Sequence, residues 1–126
     1  MGENSDLAEW FFTATAANDA EALRTMLTSG FVLSQNGGPP VDIGGLLAMG
    51  LAVKAAVPDF RYGNAVRSDT QDGFVEEHDV LGTGPDGEAF SVPVCVVASI
   101  TEGKITNARE YFDTAAAAPL LKALGM

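Results

Sequence analysis

The chain has 126 residues, a formal net charge of −10 from 17 acidic and 7 basic side chains, and a single Cys and a single His. This length predicts one domain with a real core. One Cys excludes an internal disulfide, and one Cys with one His excludes a standard His/Cys zinc site, so the reading is metal-free and without a cofactor. The acidic surplus leaves no footprint for nucleic acid or an anionic membrane. No apolar run approaches the ~20 residues of a membrane span. The polar start, Met1-Gly2-Glu3-Asn4-Ser5-Asp6, is neither a secretory leader nor a myristoylation motif, and a cytoplasmic protein is expected.

In chain order, Asp6 with Glu9 reads as a capping pair, followed by Leu7, Trp10, Phe11 and Ala14 at helical spacing. Asn18 and Glu21 repeat the signature before Leu23, Met26 and Leu27, and Ser29-Gly30 is read as the stop of this second helix. Phe31 to Gln35 is a short strand, and Asn36-Gly37-Gly38-Pro39-Pro40 a loop. A third helix runs from about Val41 to Ala55 and stops at Val57-Pro58-Asp59, weakened by Gly44, Gly45 and Gly50. Strands follow at Phe60 to Ser68, Phe74 to Thr83, Glu88 to Thr101 and Lys104 to Asp113. Turns at Thr70-Gln71-Asp72-Gly73, Gly84-Pro85-Asp86-Gly87 and Glu102-Gly103 separate them, and a short helix over Ala115 to Leu124 closes the chain. Three helices and then an antiparallel meander make an α+β domain, with helices on one face of a curved, mainly antiparallel sheet.

This order resembles the NTF2-like superfamily, in particular its SnoaL-like branch. The likeness is carried by Asn18-Asp19-Ala20-Glu21-Ala22-Leu23 before Phe31-Val32, by Gly37-Gly38-Pro39-Pro40, and by Val57-Pro58-Asp59-Phe60. It continues in Glu77-His78-Asp79 with Gly82-Thr83, the Asp86-Gly87 turn, and Glu102-Gly103-Lys104-Ile105 with Glu110-Tyr111-Phe112-Asp113. The resemblance spans nearly the whole chain. It implies a cone with an internal apolar pocket and a homodimer built sheet to sheet. It does not fix a reaction, because the superfamily holds isomerases, cyclases, epoxide hydrolases, dehydratases and non-catalytic binding domains.

Aligned on the resemblance, the three functional positions of ketosteroid isomerase fall near Phe11, Gln35 and Cys95. None supplies the hydroxyl donor, carboxylate base or neutral acid that the mechanism needs. The Asp–Arg–Asp set of limonene epoxide hydrolase is absent too, since the neighbours Arg109 and Glu110 point to opposite faces of a strand. The SnoaL-type cyclases fit better. By the same alignment Ala108, Glu110 and Phe112 face the pocket. A carboxyl group at Glu110 in an apolar cavity has its pKa raised and suits acid–base work. His78 is the other group suited to titrate near neutral pH. Together they form the candidate catalytic pair for proton abstraction beside a carbonyl.

The pocket candidates are Trp10, Phe11, Phe31, Gln35, Phe60, Cys95, Val97, Ala108 and Phe112, around a small hydrophobic ligand. Each has a plainer reading. Glu110 pairs with Arg61, Arg67 or Arg109, or is solvated. His78 merely packs, because Phe74 and Val80 argue for its facing inward while Val75 and Leu81 argue for the other face. Cys95 is a buried, inert thiol, and the aromatics are simple core. Tyr111 and Asp113 belong to the outer face or a dimer contact. The alternative function is a non-catalytic ligand-binding or scaffold domain, and a third is an interaction module using the sheet face.

Overall fold

The computed structural model describes residues 3–126, so the reading of Met1 and Gly2 lies outside the described residues. Helix α1 (Glu3–Ala17) begins ahead of Asp6, which sits with Glu3 in the first turn, where negative charge complements the helix dipole, instead of capping. Its buried face is Ser5, Ala8, Phe11, Phe12 and Ala14. Successive residues of a helix are about 100° apart, so the run Trp10-Phe11-Phe12 cannot all face the sheet. Trp10 is the one turned out, at 45% exposure.

Asn18 takes a φ of 53° and ends α1. Asp19, and not Asn18, caps α2 (Ala20–Met26) by accepting a hydrogen bond from the Ala22 amide. The helix runs straight into strand β1 (Leu27–Gln35), so Ser29-Gly30 lies within the strand rather than stopping the helix. The irregularity shows instead as a register shift between Leu27 and Val32. Asp42 caps α3 (Ile43–Ala56) through the Gly45 amide.

The remaining strands are β2 (Arg61–Asp69), β3 (Gly73–Thr83), β4 (Ala89–Thr101) and β5 (Lys104–Phe112), before the short helix α4 (Ala118–Ala123). From β2 to β5 the strands form the expected antiparallel meander, and β1 joins the edge of β5 in parallel, giving the order β1-β5-β4-β3-β2. Gly73 permits the start of β3, since a Cβ there would run into the Ala98 carbonyl of β4.

Alternation sorts the faces. On β4, Phe90, Val92, Val94, Val96 and Ala98 are buried toward the helices, while the residues between them look outward. Phe31, Phe74, Leu23, Met26 and Ile105 are fully buried between the layers, each contributing roughly 1.5–3 kcal/mol. Among the described residues no helix is long and apolar enough to cross a membrane, and no group of three or more His, Cys, Asp or Glu side chains could hold a metal ion.

Candidate functional site

The inner face of the sheet, with α1, α3 and α4 above it, encloses a cavity of about 300 Å³. Its wall is mostly apolar, as in sites for small organic molecules. The polar groups on it are Thr15, Gln35, Lys54, Tyr62 and Glu110. Gln35, Lys54 and Met126 are exposed wall residues and mark the mouth.

Strand register lines up one row across all five strands: Gln35 opposite Glu110, Glu110 opposite Val96, Val96 opposite Glu76, and Glu76 opposite Arg67. The row splits into two polar pairs separated by Val96. In the first, Gln35 Nε2 donates to Glu110 Oε1 at 2.7 Å. Burial pushes the Glu110 carboxyl above its ordinary value, while the Gln35 hydrogen bond and the charge at His78 pull partly the other way. In the second, Arg67 Nε donates to Glu76 Oε1 at 2.6 Å, and Glu76 Oε2 lies 2.6 Å from His78 Nδ1.

His78 and Glu76 share the inner face of β3, and both side chains are essentially inaccessible to solvent. The imidazole packs against Phe12 and Tyr62, with ring centroids at 4.9 and 4.6 Å. Both of those rings line the cavity, and His78 lies behind them. Its Nε2 is buried and has no hydrogen-bond partner. Burial, with the Glu110 and Glu76 carboxylates adding to it, holds the Tyr62 phenol above its ordinary value, so it remains a hydroxyl donor.

The structure brings together Phe11, Gln35, Phe60, Glu110 and Phe112 on the cavity wall. It does not bring the other candidates there. Trp10 is exposed on the far side of α1. Phe31 and Ala108 are buried in the core, off the cavity wall, and Phe31 packs there against Phe11. Cys95 and Val97 alternate with the buried valines of β4 and point outward. Cys95 borders a shallow depression on that outer face with Glu77, Asp79 and Tyr111.

None of the three arginines considered for Glu110 reaches it. Arg61 lies 3.6 Å from Asp59, Arg67 is taken by Glu76, and Arg109 donates to Asn107 on the outward side. Sequence reasoning missed the Arg67–Glu76 pair. The signal was present: counting back from the 70–73 turn sets Arg67 opposite Glu76, and the spacing of two from His78 puts Glu76 on the same face.

Comparison with known proteins gives a consistent result. The SnoaL-like domain family model matches residues 8–108. Among solved structures, IdmH, a candidate polyketide cyclase from Streptomyces antibioticus, superposes with a TM-score of 0.81 at 21% identity, covering 99% of this chain and 100% of its own. PrhC from Penicillium brasilianum gives 0.83 at 13% identity, covering 98% and 88%. A protein of ketosteroid isomerase-like fold from Catenulispora acidiphila, in complex with trimethylamine, gives 0.75 at 14%, covering 95% and 92%. At these identities the likeness is one of fold. No curated protein sequence matches significantly.

Proposed function

The chain belongs to the SnoaL-like domain family, and within it we propose that the cavity binds a small, mainly apolar carbonyl compound and moves a proton at the carbon beside the carbonyl, as a cyclase or isomerase does. The observation that carries this reading is the pairing of Glu110, a cavity carboxyl raised by burial, with His78, a buried imidazole whose Nε2 is unpartnered. Their strands flank β4 and the two residues stand two positions out of row, which sets their backbones roughly 12 Å apart at the usual strand spacing and rise. Once a ring covering His78 moves aside, a ligand carbonyl and its neighbouring carbon lie between the two groups.

In this reading Glu110, in its protonated form, donates a hydrogen bond to the carbonyl oxygen, and the Tyr62 hydroxyl is a second donor. His78 Nε2 takes the proton from carbon. The enolate so formed either attacks a second carbonyl, closing a ring, or is reprotonated by His78 at another carbon. Phe12 and Tyr62 cover the imidazole, so ligand seating displaces one of these rings.

That cover is also the observation favouring the second reading, a binding domain without catalysis, since His78 is not on the cavity wall. Proton exchange separates the two. A panel of aromatic and alicyclic ketones is incubated in D2O and followed by NMR. Catalysis predicts enzyme-dependent deuterium incorporation beside the carbonyl, reduced about 100-fold or more in Glu110→Gln and His78→Asn. Ligand binding without exchange assigns the protein to the second reading.

The protein is further proposed to work as a homodimer joined through the outward sheet face. Val66 and Tyr111 are exposed there, at 63% and 46%, beside the half-buried Val75, Cys95 and Val97.

A further inference from the structure

The Arg67–Glu76–His78 chain is an expensive structure to bury. Glu76 is 1% exposed and sits beneath the helix layer, with Val96 opposite it on β4. An apolar side chain at such a position commonly serves stability as well as a buried ion pair does. Its geometry, however, does something an apolar residue cannot. Each carboxylate oxygen has one partner: Oε1 takes Arg67 Nε and Oε2 faces His78 Nδ1. The guanidinium is always a donor and always charged, so it occupies Oε1 and leaves Oε2 to meet Nδ1. An ionised carboxylate only accepts, so the proton between Glu76 and His78 resides on Nδ1. In the neutral imidazole the other nitrogen then carries the lone pair. That nitrogen is Nε2, the buried atom with no partner.

We propose that Glu76, held by Arg67, is a positioning residue that fixes His78 in the tautomer with Nδ1 protonated and Nε2 free to accept a proton. This rests on the acid–base reading of the cavity for its use, though the tautomer itself does not depend on any reaction. The pair acts in two ways. It sets which nitrogen is basic, and it holds the ring by a short hydrogen bond while Phe12 and Tyr62 pack against it. When His78 takes a proton, the carboxylate stabilises the imidazolium through the same hydrogen bond. No proton passes to Glu76, and Arg67 compensates its charge in the resting state.

The test is long-range 15N–1H NMR of the uniformly labelled chain, which reads the protonation of the two imidazole nitrogens separately. At alkaline pH, where the ring is neutral, His78 should show a pyrrole-like Nδ1 and a pyridine-like Nε2. In Glu76→Gln the amide carbonyl can keep Arg67 as a donor and turn its NH2 toward Nδ1, so the tautomer should reverse. Deuterium exchange on a responsive ketone should then fall about 100-fold or more in kcat, with KM little changed. Arg67→Lys keeps the charge and should retain the wild-type tautomer. A pyridine-like Nδ1 in the wild type, or an unchanged tautomer in a folded Glu76→Gln, overturns the proposal. Should Glu76→Gln fail to fold, the wild-type spectrum alone decides. If no ketone exchanges while the wild-type tautomer is as stated, the positioning geometry stands and the catalytic reading falls.

Discussion

Gln35 and Glu110 meet at 2.7 Å across the one parallel strand pair of the sheet, at the mouth of the cavity. The contact satisfies a carboxyl oxygen without supplying a counter-charge. Burial therefore dominates, and the folded-state pKa of Glu110 lies above its ordinary value.

The linked pH dependence has a definite sign. A carboxyl whose pKa is higher folded than unfolded adds stability that is fully present below the unfolded value, and this is lost as pH rises through the folded value. Glu110→Gln removes the ionisation and keeps an acceptor for Gln35. The variant should match the wild type in urea midpoint near pH 4 and exceed it at pH 8. Equal midpoints at both pH values would mean that Glu110 is solvated.

Asn36 is the clamp that holds this pair. It occupies a left-handed φ of 51°, which Asn tolerates better than most residues. Its side-chain amide donates to the Phe112 carbonyl at 3.1 Å, and its carbonyl accepts from the Phe112 amide at 2.9 Å. The side chain thus extends the β1–β5 ladder one step past Gln35. Asn36→Ala loses both bonds and strains the backbone, and should cost about 1–3 kcal/mol by urea unfolding. Asn36→Gly loses the bonds without the strain and should cost less. The reverse order would contradict the clamp.

Much of the frame was legible from local chemistry. The turns at 70–73 and 84–87 fix the meander, and the helix pattern fixes the opposing layer. What failed were choices between adjacent residues on one element. Trp10, Phe11 and Phe12 are all apolar, so the pattern of α1 does not say which faces inward; packing against Tyr62 and Phe74 selects Phe12. Cys95 and Val97 sit in an unbroken apolar run from Val94 to Ala98, where only the register separates inside from outside. The run Glu76-Glu77-His78-Asp79 is acidic on both faces, so its buried face stays undecided until Arg67 is set opposite Glu76. That needs a long-range pairing, which periodicity within one strand does not contain.

Helix α4 forms part of the cavity wall. It has six residues and no side-chain cap, and none of its side chains is fully buried. A helix this short is marginal alone and is held by its apolar contacts. Leu120, Leu121 and Leu124 supply them, and all three line the cavity. Truncating Leu121 and Leu124 to Ala should weaken binding of an apolar naphthalene dye about 30-fold, on the basis of about 1 kcal/mol for each half-buried leucine. Thermal unfolding should shift by only a few degrees. Unchanged dye affinity would show that α4 does not cover the bound ligand.

The outward face tests the proposed dimer. Register sets Val66, Glu77, Cys95 and Tyr111 side by side across β2 to β5 on that face. Aromatic and β-branched residues suit a sheet-to-sheet contact, and the exposed Tyr111 is the large anchor. Charge opposes the association, since each chain carries a net charge of −10 and Glu77 lies within the row. Screening weakens that repulsion. Sedimentation equilibrium should therefore find a dimer that tightens as salt rises from 50 to about 500 mM. Tyr111→Glu should return the chain to monomer at micromolar concentration without lowering the monomer's unfolding free energy by more than about 0.5 kcal/mol, as for a surface substitution. A wild type that stays monomeric across that salt range would leave the outer face without a partner copy, and the sheet would act alone as the floor of the cavity.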